Sequence, residues 1–157
     1  MAEWSLDISR WCGTNKDKIV GVKKRFAFML YSAIVKKTPV DTGRARANWN
    51  ISAGSPDLTV TEETDKSFGK QKKVPDAKGD TPLYISNNLP YIKTLEFGGY
   101  PKDVKKGTRV KGKNGRKGHY EVRTKGGFSK KAPKGMVGVT VANAGQYLKR
   151  ALDEENG

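Results

Sequence analysis

The feature that most constrains this chain is a helical run that ends on a proline. Ile19, Val22, Phe26, Met29, Leu30, Ala33 and Ile34 recur at the spacing of one helix face. Thr14-Asn15-Lys16-Asp17 reads as a capping box ahead of them. Pro39 stops the run, because the residue before a proline is pushed out of α geometry. The pattern predicts a helix over about 15–37, long enough to dominate any fold built from 157 residues. Upstream, Trp4, Leu6, Ile8 and Trp11 make a short apolar segment that suits a helical turn. A second apolar patch, Phe28, Tyr31 and Val35, falls roughly opposite the main stripe. A surface helix should be polar there. Two readings stay open: another part of the chain covers the patch, or it is a subunit interface.

Downstream of Pro39, Asp41-Thr42-Gly43 carries turn chemistry: Asp bonds backbone two residues on, and Gly admits positive φ. Ala45, Ala47, Trp49, Ile51 and Ala53 then alternate with Arg44, Arg46, Asn48, Asn50 and Ser52, the period of a half-buried strand. Leu58–Thr61 is a candidate partner strand, 62–80 a polar loop and Leu83–Ser86 another strand. Pro90 suits the first turn of a short helix containing Tyr91, Ile92, Leu95 and Phe97, which ends at Gly98-Gly99. Met136–Glu154 reads as a final helix with Val141, Ala144, Leu148, Ala151 and Leu152 on its apolar face. The alternating Val137–Val141 stretch also fits an extended start. The whole predicts one α+β domain over 1–157: a long N-terminal helix and a C-terminal helix packed on a small, mostly antiparallel sheet.

Charge is the other dominant signal. Thirty-one Lys and Arg face sixteen Asp and Glu, a net of +15. From Gly98 to Lys134, thirteen cations face Asp103 and Glu121, so +11 lies in that segment and +4 in the other 120 residues. Asn114-Gly115 inside it is a type I′ hairpin signal. The expectation is a protruding basic β-hairpin arm, a feature of the 100–134 insert, carrying Lys105, Lys106, Arg109, Lys111, Lys113, Arg116, Lys117, Arg123 and Lys125. Such an arm suits phosphate contacts, an acidic protein neighbour, or plain solvent.

Catalytic and metal chemistry find little support in the sequence. His119 is the one histidine, with only Glu121 near it in sequence. One His, one Cys (Cys12) and no carboxylates at ligand spacing make neither a metal site nor a disulfide framework. No phosphate-binding glycine loop, membrane-length apolar run or signal-peptide pattern occurs. The chain therefore reads as a non-enzyme with no cofactor and no membrane partner.

Three features fall in a recognisable order. Lys37-Thr38-Pro39-Val40-Asp41-Thr42-Gly43-Arg44 closes the long helix, Tyr91-Ile92-Lys93-Thr94-Leu95-Glu96-Phe97-Gly98 follows, and Ala132-Pro133-Lys134-Gly135-Met136 leads into the last helix. This order resembles the neck and tail-completion (head–tail joining) proteins of long-tailed bacteriophages, over about two-thirds of the chain. The long basic insert after Gly99 departs from that pattern. The resemblance implies a non-enzymatic virion component, made in the bacterial cytoplasm, that forms a ring, six-fold, at the head–tail junction or head-proximal end of the tail. Phe28, Tyr31 and Val35 would be its subunit interface. The arm would touch an adjacent ring or tube protein, the tape-measure protein or channel DNA. Asp41, Thr42, Gly43 and Arg44 are expected to fix the corner after the long helix, with Glu96 pairing to Arg44 or Arg46. The alternative is a non-sequence-specific nucleic-acid-binding protein.

Overall fold

The computed structural model describes residues 2–100 and 124–156, with side chains described from residue 15 onward. Its elements are α1 (Ala2–Lys37), α2 (Arg44–Ala47), β1 (Asn50–Ala53), β2 (Leu83–Ser86), α3 (Ile92–Phe97), α4 (Val137–Ala142) and α5 (Ala144–Asn156). The architecture is α+β: among the described residues, helices pack with one antiparallel pair, with Asn50 opposite Ser86 and Ala53 opposite Leu83.

Helix α1 begins well before the capping box and runs through it for 36 residues, about 54 Å at 1.5 Å per residue. Once a helix is nucleated, each added residue gains a bond cheaply, so an internal Thr-x-x-Asp does not stop it. At its other end, Thr38 donates its amide to Ile34 and Val35 at 3.0 and 3.2 Å, and its hydroxyl to Ile34 at 2.8 Å. Arg46 completes the cap: its guanidinium donates to the carbonyls of Val35, Lys36 and Thr38 at 3.2–3.4 Å. A cation on the last carbonyls of a helix both satisfies orphan acceptors and meets the negative end of the dipole.

The core is built on α1's other face. Ala27, Tyr31, Ile34 and Val35 pack with Trp49, Ile51, Leu89, Leu95 and Met136. Tyr31 and Val35 are each only 1% exposed. They are therefore not a subunit interface; the chain itself covers them. Apart from Ile34, which joins this core, the main stripe is less buried, and Ile19 lies 64% exposed. Both flanks of α1 are apolar because core and α5 pack on different sides. Helix α5 runs antiparallel to α1, with Glu155 against Arg25 at 2.8 Å at one end and Tyr147 beside Lys37 at 3.5 Å at the other.

The ten-residue alternation after Gly43 resolves into two elements. Arg44–Ala47 is a helical turn and only Asn50–Ala53 is strand. Arg and Ala are strong helix formers and Ala is a poor strand former, so propensity overrides a short period-two pattern. Asn48 and Asn50, placed on the outer face by alternation, are each 1% exposed. Their amides hold the 57–61 segment: Asn50 donates to Asp57 and Thr59, and Asn48 donates to Thr61 while accepting from its amide at 2.8 Å. Leu58–Thr61 is consequently no strand. Side chains occupy the carbonyls that a ladder would use.

Residues 62–80 carry no helix or strand, yet they are tied down. Lys23 donates to Gly79 at 3.2 Å and to Thr81, Lys24 pairs with Asp76, and Lys72 bonds Asn50. The C-terminal helix divides at Asn143, whose side chain turns back onto Val139 at 2.7 Å.

Candidate interaction site

The corner after α1 is built on Gly43. Its φ is +90°, a left-handed conformation that L side chains rarely adopt. A Cβ there would stand 2.7 Å from the Asp65 backbone. The close approach exists because Gly43 accepts both the Asp65 amide at 3.0 Å and the Ala47 amide at 3.1 Å. Thr42 accepts the Arg44 amide through its hydroxyl at 3.2 Å. Asp41 is exposed. The motif fixes a helix-to-helix corner, then, rather than the helix-to-strand corner expected.

Asp65, which the sequence did not single out, sits 3% exposed under this corner. Burial pushes its carboxyl up, but the amides of Lys70, Gly69, Phe68 and Ser67 outweigh that and hold it below its ordinary value. The sign follows: a depressed native value means that its stabilisation is present above the unfolded value and is lost as pH falls through the folded one. Asp65→Asn is expected to melt earlier than wild type at pH 7, with the gap narrowing as the pH falls toward 3. Paired thermal melts at the two pH values check this.

Glu96 pairs with neither Arg44 nor Arg46. Its carboxylate accepts the amides of Met136, Val137 and Gly138 at 2.7, 2.8 and 2.8 Å, which are the orphan donors opening α4. Arg44 pairs instead with exposed Glu62 at 2.5 Å. Thus the Leu95-Glu96-Phe97-Gly98 motif joins α3 to the last two helices, across the whole insert.

That insert leaves the fold at a pinned stem. The Gly99 amide donates to Gly126 at 2.9 Å and the Tyr100 amide to Gly127 at 3.1 Å. Gly127 has φ +73°, and a Cβ on it would meet the Tyr100 backbone at 2.6 Å. Of the expected basic-arm residues, Lys105, Lys106, Arg109, Lys111, Lys113, Arg116, Lys117 and Arg123 lie outside the described residues, as do Asn114-Gly115 and His119. Lys125 is described and exposed, and so are Lys130, Lys131 and Lys134. Phe97, beside the stem, is 76% exposed.

Phe28 remains partly exposed and opens onto a groove of about 590 Å³ between α1 and α5. Met29, Ala33, Phe68 and Tyr147 line it, all half-buried. Phe68 is the one non-glycine with positive φ among the described residues, at 62°. Its ring lies 5.5 Å from the Lys36 ammonium and 6.0 Å from the Arg46 guanidinium, so cation–π contacts help hold the strained loop. Neither the groove nor the Phe68 conformation was legible beforehand, because each joins residues far apart in sequence.

Among the described residues there is no group of three or more His, Cys, Asp or Glu that could hold a metal ion, and no helix long and apolar enough to cross a membrane. Comparison of the chain with family models, with curated proteins and with solved structures found no match.

Proposed function

We propose that the chain is a structural component of a bacteriophage virion, forming a ring at the head–tail junction or the head-proximal end of the tail and helping to complete the tail. One observation carries this reading. The two stretches that resemble neck and tail-completion proteins are the two on which the packing of this chain turns. Gly43 makes the corner after α1, and Glu96 holds the start of α4. The resemblance therefore lies in residues with structural duties rather than in surface composition. The stem supports an assembly role: residues 101–125 join its two contacting segments and carry ten cations against Asp103 and Glu121, a charged insert on a pinned base that suits a neighbouring ring, the tube, the tape-measure protein or channel DNA.

A phage whose genome lacks this chain is expected to accumulate unjoined heads and tails, with infectious particles reduced by orders of magnitude. Normal yields of joined particles would refute the proposal. The charge also supports a second reading, non-sequence-specific nucleic-acid binding. That reading requires duplex affinity that falls steeply with salt as counterions are released.

A further inference from the structure

We propose that the groove between α1 and α5 is a docking site for an acidic amphipathic segment of a partner protein. The partner inserts one large apolar side chain and sets carboxylates on Lys36 and Lys37. This inference does not rest on the virion reading.

The volume, about 590 Å³, lies within the range of sites that enclose a compact ligand group. Its apolar lining is presented, not closed over: Phe28 is 41% exposed. The strained Phe68 adds a ring that the loop holds against the groove in a left-handed conformation, and such strain concentrates at binding surfaces.

Charge selects the occupant. Three cations line the groove. Lys36 and Lys37 have no carboxylate partner among the described residues; the first stacks on Phe68 and the second reaches only the Tyr147 hydroxyl, at 3.5 Å. One carboxylate lines the groove, Glu154, and it is already held by Arg150 at 2.9 Å and by Arg25 at 4.0 Å. The lining thus keeps unneutralised positive charge beside an apolar surface. A nucleic acid is the poorer fit: Lys36 and Lys37 are the two described lining cations without a carboxylate, short of the run of cations that a phosphate backbone engages, whereas one or two carboxylates beside a large apolar side chain match that pair and the Met29, Ala33 and Phe68 lining. Amphipathic helices lay apolar anchors into such grooves and use flanking charges for register.

The test uses the full chain and a labelled synthetic helix of roughly 15 residues, four turns, with Leu and Phe on one face and Glu on its flanks. A scrambled peptide of the same composition and a single-stranded DNA oligomer serve as controls. Binding is read by fluorescence anisotropy at about 0.15 M salt, where distant surface charges are largely screened. The ordered peptide is expected to bind at least about tenfold more tightly than the scrambled one, a difference of about 1.4 kcal/mol. Lys36→Glu with Lys37→Glu should remove that preference, while Lys105→Ala with Lys106→Ala and Arg109→Ala should leave it unchanged. If the charge reversal lowers the melting point, Phe28→Ser, at an exposed position, supplies the same readout. Equal binding of the two peptides, equal loss in the insert variant, or displacement of the peptide by the DNA would overturn the proposal.

Discussion

Replacing Glu96 with Ala is expected to lower stability by about 3 kcal/mol, which for a domain of this size shifts Tm by roughly 6–12 °C. One carboxylate serves three amides, those of Met136, Val137 and Gly138. Charge-assisted bonds of this kind contribute about 1.5–3 kcal/mol, and a lost helix cap alone costs about 0.5–2. The bonds also span forty residues of sequence, so their loss frees the last two helices from the α3 side of the core. Met136, fully buried, would be the first apolar contact to loosen. Glu96→Gln keeps one acceptor and should recover part of the loss. The control is Glu62→Ala: its exposed pair with Arg44 belongs to a class worth at most about 1 kcal/mol. Thermal melts of the three variants check the ranking. Equal melting points for Glu96→Ala and Glu62→Ala would show that the α4 cap does not hold the fold together.

Gly43→Ala should be comparably damaging, at about 2–5 kcal/mol. Two penalties add. A left-handed backbone costs an L residue about 1–2 kcal/mol. The new methyl would also sit 2.7 Å from backbone atoms of Asp65, which cannot swing aside as a side-chain tip can, and overpacking of this kind costs about 1–3 kcal/mol. Relief requires moving Asp65, whose carboxylate organises the 67–70 loop. The same substitution at Gly145, in the first turn of α5 with open space around its Cβ, should instead stabilise, by up to about 0.5 kcal/mol, because Ala is the better helix former and restricts the unfolded chain. Urea denaturation of both variants, compared at constant m-value, separates these opposite signs.

Much of the fold could be read from local patterns. The Ile19–Ile34 stripe marked the C-terminal part of α1, Pro90 placed α3, and Leu83–Ser86 was legible as a strand from its β-favouring Tyr and Ile between polar, turn-rich flanks. Where two periods fit equally, the sequence misled. Arg44–Ala53 alternates, yet its first four residues are a helical turn that Arg and Ala favour. The apolar Phe28, Tyr31 and Val35 patch was visible, but its occupant was not. Tyr31 is covered by Trp49 and by the backbone of Lys72, partners 18 and 41 residues away. Glu96 was likewise assigned to Arg44 or Arg46 by charge alone, when its partners are backbone amides beyond the insert. Asp65 carried no signal at all: an Asp in a polar loop looks the same whether it is solvated or buried on four amides. Charge was legible as quantity and position along the chain, while the stem at Gly99–Gly126 that anchors it appears only in three dimensions.

Electron cryomicroscopy of particles carrying a tagged copy tests whether this chain is, as proposed, a ring-forming part of a virion. Tag density is expected to be confined to a ring at the neck or the head-proximal end of the tail, with the basic segment facing an adjacent ring, the tube or the channel. Tag-free particles at full infectivity, with the protein remaining in the soluble fraction of the lysate, would contradict that proposal.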